Sequence, residues 1–129
     1  MGVKEINNWI ASGNQIGFHT CKHLDWSQAS LSEIESDFSK GWDKIIENGW
    51  STPYFAYPFG CISSKYKKQT ELLLKGYGIK YAFTLEWADF TNKVSSYYIP
   101  RVCLGDWEPS IWSVVKSLGM FDWYGNRKR

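Results

Sequence analysis

The 129-residue chain has almost no histidine: two residues, His19 and His23, stand four positions apart. Chemistry that needs imidazole is therefore confined to one short segment. Cysteine is also scarce. Cys21, Cys61 and Cys103 are odd in number and lack framework spacing, which excludes a disulfide-stapled scaffold and suggests reduced thiols in a cytoplasm-like compartment. No apolar run approaches the ~20 residues that span a bilayer. The start, Met1-Gly2-Val3-Lys4-Glu5, lacks the apolar region of a signal peptide. Ile6 stands where a myristoylation site requires Ser or Thr. Charge of one sign is missing as well. A net charge of +2 is too small to argue for nucleic acid, and Arg127-Lys128-Arg129 reads as a solvated end. No repeat, low-complexity segment or linker interrupts the chain, so residues 1–129 read as a single domain.

Aromatic residues, by contrast, are abundant at 18%, with eight Trp and eight Tyr. Such rings fill cores, and they also form stacking platforms for sugars or bases. Their spacing, with that of the aliphatic residues, marks the elements. Val3, Ile6, Trp9 and Ile10 keep helical spacing up to Gly13. Residues 15–19 read as a buried strand. Ser30-Leu31-Ser32-Glu33 is a capping box. It opens a helix whose stripe is Leu31, Ile34, Phe38, Trp42, Ile45 and Ile46, closed by Gly49. Residues 54–57 predict a second strand, ended by Pro58-Phe59-Gly60. Tyr66, Thr70, Leu73, Leu74 and Tyr77 share one face of a further helix that stops at Gly76 and Gly78. Residues 80–85 predict a third strand and 97–104 a fourth. Pro109 opens a last helix, stopped by Gly119. Alternation of this kind implies an α/β fold with parallel strands and crossover helices.

Sites in parallel α/β folds gather at the carboxyl ends of strands. His19 and His23 fall past the first strand and Pro58-Phe59-Gly60 past the second. Glu86 and Asp89 follow the third, and Asp106 the fourth. Two His at this spacing can simply be surface residues. Two imidazoles at a strand end also suit zinc and related divalent ions.

The segment Ile16-Gly17-Phe18-His19-Thr20-Cys21-Lys22-His23 resembles the G-x-H-[ST]-x-x-H metal motif of the NodB-like polysaccharide deacetylases. Phe55-Ala56-Tyr57-Pro58-Phe59-Gly60 resembles their R-x-P-[YF]-G motif, in the F-A-Y-P-[YF]-G form of the poly-N-acetylglucosamine deacetylase-like branch. Trp9–Asn14, Tyr77–Thr84 and Ile99-Pro100-Arg101-Val102 resemble neighbouring segments of the same domain, so the likeness spans roughly residues 5–105.

The resemblance implies a distorted (β/α) barrel and a hydrolase of carbon–nitrogen bonds other than peptides. Its reaction is metal-dependent removal of N-acetyl groups from amino-sugar polymers. By position, His19 and His23 are two ligands of a divalent metal, zinc in the first instance. Thr20 supports the loop between them. The Phe59 backbone N–H serves as an oxyanion donor, and Pro58 and Gly60 shape its turn. Tyr57, Phe59 and Trp87 line the groove for the N-acetylated glycan. The arginine of the second motif is replaced by Ala56, and Arg101 is a substitute cation or a structural ion-pair partner.

Two family motifs have no counterpart. The chain has no Asp-Asp pair, which supplies the third ligand and the base, and no His after His23 to act as general acid. Asp25 is read as capping a turn, Glu86, Asp89 and Asp106 as solvated loop acids, and Cys21 as a packed thiol. The expectation is a partial, incomplete barrel corresponding to the C-terminal part of a deacetylase domain, with impaired activity by itself. The alternatives are a non-catalytic carbohydrate-binding remnant, or a subunit that needs a missing N-terminal segment or second chain carrying the aspartates.

Overall fold

The computed structural model describes residues 2–86, 95–101, 109 and 111–112. Helix α1 spans Val3–Ala11 and α2 spans Leu31–Glu47. Strand β1 is Tyr54–Ala56. A 3-10 turn at Pro58–Gly60 and another at Ser64–Tyr66 lead into α3, Lys67–Gly76, and then β2, Tyr81–Phe83.

The helix boundaries follow local chemistry. Ser30 Oγ accepts the Glu33 N–H while the Glu33 carboxylate accepts the Ser30 N–H at 2.9 Å, so the capping box forms reciprocally. The Ser30 hydroxyl, donating to the Glu33 carboxylate at 2.6 Å, and then the Ser30 N–H hold that carboxyl below the usual carboxylate range. Gly13, Gly49 and Gly78 each stand at positive φ just past a helix end, which glycine adopts without a Cβ clash. On α2, Ile34, Phe38 and Ile45 are buried, as the stripe predicts. Ile46 is 62% exposed instead. It follows Ile45 directly, and a step of one residue turns a helix side chain off the face.

Strands β1 and β2 pair in parallel, in the register Tyr54↔Tyr81, Phe55↔Ala82 and Ala56↔Phe83. The crossover through α3 is the connection parallel pairing requires. Phe18 bridges to Phe55 on the outer side of β1, and Ile99 to Phe83 on the outer side of β2, both in parallel. The order across the ladder is therefore Phe18, β1, β2, Ile99. Predicted strand 15–19 is reduced to the bridge at Phe18, and the described part of predicted strand 97–104, residues 97–101, shows the bridge at Ile99. Residues 102–104 and most of the helix after Pro109 lie outside the described residues. The described ladder does not close on itself, and the fold is an incomplete (β/α) barrel. No described helix is long and apolar enough to cross a membrane.

The core is aromatic. Phe38 of α2 lies against Phe18 at 4.9 Å, Phe55 at 5.5 Å, Trp42 at 5.8 Å and Tyr77 at 4.9 Å between ring centroids. Trp26 stacks on Phe55 at 5.0 Å and is fully buried. These rings fix α2 and the Phe18 segment on one face of the ladder.

Candidate functional site

The Phe18 bridge positions the first histidine. Phe18 N–H donates to Tyr54 O at 2.9 Å, and Ala56 N–H donates to Phe18 O at 3.0 Å. Successive side chains on extended backbone point to opposite sides, so burial of Phe18 directs His19 outward. His19 Nδ1 then lies 2.7 Å from the Ala56 carbonyl oxygen. A carbonyl only accepts, so Nδ1 carries the proton and donates. In the neutral ring this leaves the Nε2 lone pair for a ligand.

The chain reverses at Thr20, φ 64, and turns again at His23, φ 55. Thr20 Oγ1 accepts the His23 N–H at 3.1 Å and closes the loop. This is the supporting part assigned to Thr20 from the sequence. The two imidazoles end with centroids 4.8 Å apart. An ion ~2.1 Å from one nitrogen of each ring, in tetrahedral array, would separate the centroids by about 5 Å. The observed centroid separation is compatible with such an arrangement and equally with edge-on packing of the two rings. Catalytic zinc ordinarily takes three protein ligands. No cluster of three His, Cys, Asp or Glu suited to a metal occurs among the described residues. The donor set fits two positions of such a site and leaves a third to be supplied.

The second strand end faces the same loop. Phe59 has φ 54, is 57% exposed, and packs edge-on against His23 at 4.6 Å. Gly60 stands at φ 70, its N–H donating to Tyr57 O at 2.9 Å and its carbonyl accepting Leu85 N–H at 3.0 Å. Pro58 is buried and sets the turn. Tyr57 lies elsewhere than a groove wall. It is fully buried, stacks on Tyr98, and donates its hydroxyl to Tyr97 O at 3.0 Å. Burial pushes its phenol pKa far up, so it stays neutral. Arg101 is exposed, two residues past the Ile99 bridge. Glu86 is exposed. Trp87, Asp89, Asp106 and Cys103 lie outside the described residues. Asp25 Oδ1 accepts the Ser27 N–H at 2.9 Å, a turn-capping bond. Cys21 is an exposed free thiol rather than a packed one, because the loop reversal at Thr20 carries it outward.

The model of the family described as polysaccharide deacetylase matches residues 2–82. The chain belongs to this family. Among solved structures, the polysaccharide deacetylase fold here is similar to the Streptococcus pyogenes deacetylase PplD in complex with acetate. The identity is 18% and the TM-score 0.71, over 88% of this chain and 50% of that one. It is also similar to IcaB from Ammonifex degensii, at 26% identity and TM-score 0.67, over 92% of this chain and 52% of that one. The chain spans about half the length of these two proteins. No curated protein matches it. The part matched by the polysaccharide deacetylase model contains both histidines and the whole Tyr57–Gly60 turn.

The sequence did not point to three supports of this site. The Ala56 carbonyl orients His19, and backbone acceptors leave no residue-type signal. Asp37 and Gly41, one turn apart on α2, back the histidine loop. Their signal was a buried-stripe position held by a carboxylate and another by a glycine. A Cβ on Gly41 would sit 2.7 Å from Phe18 Cζ and 3.1 Å from Cys21 N. Alanine is the better helix former by about 1 kcal/mol. Gly41→Ala is nonetheless expected to destabilise the chain by about 1–3 kcal/mol through overpacking, read as a lower urea midpoint.

Proposed function

We propose that this chain carries part of the catalytic centre of a metal-dependent N-deacetylase acting on amino-sugar polymers. The observation that carries the reading is the His19–His23 pair, 4.8 Å apart, with the Nδ1 proton of His19 committed to Ala56 O. In the reaction, water cleaves the acetamide C–N bond, releasing acetate and leaving the sugar amine. His19 and His23 would hold a divalent cation, zinc being one that imidazole donors suit. When bound, that cation supplies Lewis acidity toward water and the acetamide carbonyl. The Phe59 N–H donates to the oxyanion that develops on that carbonyl, and the Pro58–Gly60 turn aims it. The exposed Phe59 ring offers an apolar face to the sugar, a part proposed for Trp87 from the sequence as well, and the exposed Arg101 offers a cation past the Ile99 bridge. Tyr57 supports the turn from below. The F-A-Y-P-F-G form of residues 55–60 supports a poly-N-acetylglucosamine-like substrate.

The third ligand and the general base come, in this reading, from a segment or second chain bearing paired aspartates. Without a base the hydrolysis loses a factor of typically ~10²–10⁴. Zinc calorimetry tests the first part. The chain is expected to bind one zinc weakly, with His19→Ala and His23→Ala each abolishing the heat. Binding unchanged by both substitutions would place the ion elsewhere. The second part is tested by acetate release from N-acetylglucosamine oligomers after an aspartate-bearing segment is supplied. Glycan binding that quenches Trp fluorescence, resists a chelator and yields no acetate would replace the enzyme with a carbohydrate-binding module.

A further inference from the structure

We infer that Asp37 is the positioning residue of the histidine pair, acting through the backbone of the loop rather than through either ring. The inference deepens the metal-site reading and rests on it for its functional meaning, though its geometry stands independently. Asp37 lies in the second turn of α2 and is only 5% exposed. Its Oδ1 accepts the Lys22 N–H at 3.0 Å. Lys22 sits between the two histidines, in a loop with two non-glycine residues at positive φ. Such conformations persist only when neighbouring structure over-determines them. Three restraints supply that here. Ala56 O holds the His19 ring, Thr20 Oγ1 holds the His23 N–H, and Asp37 holds the Lys22 N–H. The first belongs to the ladder and the second to the loop itself. Of the three, the Asp37 bond is the one that reaches the loop from a helix.

The close approach at Gly41 supports the same role. One turn along α2, a missing Cβ lets Phe18 and the Cys21 backbone come against the helix. Helix and loop therefore meet along the two turns that carry Asp37 and Gly41. Asp37 Oδ2 is buried with no hydrogen-bond partner among the described residues. A carboxylate that makes one bond and leaves the other oxygen unpaired does little for stability. Its use lies in the fixed acceptor at Oδ1. An amide supplies the same acceptor, so Asp37→Asn should preserve the geometry and Asp37→Ala should lose it.

The test is NMR on the full metal-free chain, followed by cobalt(II) titration. In the wild type and in Asp37→Asn, the Lys22 amide should be protected from exchange, with NOEs between the His19 and His23 rings. In Asp37→Ala the protection and the inter-ring NOEs should vanish, while NOEs between Tyr54 and Tyr81 on the β1–β2 pair persist. Cobalt(II) affinity should fall about tenfold or more in Asp37→Ala, the usual consequence of removing a support of metal ligands, and recover in Asp37→Asn. Inter-ring NOEs that survive in Asp37→Ala would overturn the inference. So would their loss together with the β1–β2 NOEs, because Asp37 would then be a general fold residue. A wild type that binds no cobalt(II) defeats the metal reading instead, and the NOE comparison still decides the role of Asp37.

Discussion

Gly60→Ala is expected to cost about 2–5 kcal/mol and to disorganise the turn that faces His23. Two costs add at this position. The backbone stands at φ 70, where a Cβ costs roughly 1–2 kcal/mol. That Cβ would also overlap Leu85, at its Cβ, Cγ and backbone nitrogen. Backbone cannot swing aside as a side-chain tip does, so the turn or the chain just past β2 must move. Overpacking of this kind adds about 1–3 kcal/mol. The Leu85 N–H bond to Gly60 O is the contact most directly strained. Gly13→Ala is the internal control. Gly13 has φ 84 but nothing within 4 Å of the added carbon, so only the conformational cost of about 1–2 kcal/mol should appear. Urea unfolding of both variants separates the two contributions. Equal midpoints would show that Leu85 yields easily and that the turn is not locked. Because Phe59 precedes Gly60 and touches His23, the Gly60 variant should also change the environment of the His23 ring, whereas Gly13→Ala should not.

The features legible in the sequence were those set by local chemistry. Ser30 and Glu33 cap α2 because a helix end needs nearby acceptors, whatever the rest of the chain does. The order of strands and helices, and hence the convergence of the Phe18 and β1 ends, followed from alternation alone. Strand length did not follow. Residues 15–19 carry a strand-like run, yet extended pairing is credited by neighbours, and β1 is the one described neighbour of Phe18. Tyr57 shows a different limit. Its identity suits a sugar platform or a core equally, and the parity of β1 decides the matter. Phe55 and Tyr57 share the inward side, where both are fully buried. Asp37 was hidden for a related reason. On a helix whose stripe is read from apolar residues, a carboxylate is assigned to solvent by default, and its partner is a backbone N–H fifteen residues away.

Phe38→Ala is expected to show how far the site depends on the aromatic core, at a cost of about 3–5 kcal/mol. The total stability of an ordinary domain is ~5–15 kcal/mol, so this one ring carries a large share. Phe38 is fully buried and meets Phe18, Trp26, Trp42, Phe55 and Tyr77. Five rings around a vacated site cannot all close in without leaving their rotamers, so a cavity should persist. Phe18 suffers most directly, since its edge-on contact with Phe38 is perpendicular, at 4.9 Å. His19 is the next residue, and its bond to Ala56 O depends on Phe18 staying in the bridge. The variant should therefore lose zinc affinity even at urea concentrations where it remains folded. Leu72→Ala on α3 removes an aliphatic side chain that is 60% exposed, and should stay within about 0.5 kcal/mol with unchanged zinc binding. Calorimetry on both variants, corrected for the folded fraction, gives the deciding comparison. If folded Phe38→Ala binds zinc as the wild type does, the histidine loop is held by its hydrogen bonds to Ala56, Thr20 and Asp37 alone. If its affinity falls, the core and the site form one mechanical unit, joined at Phe18.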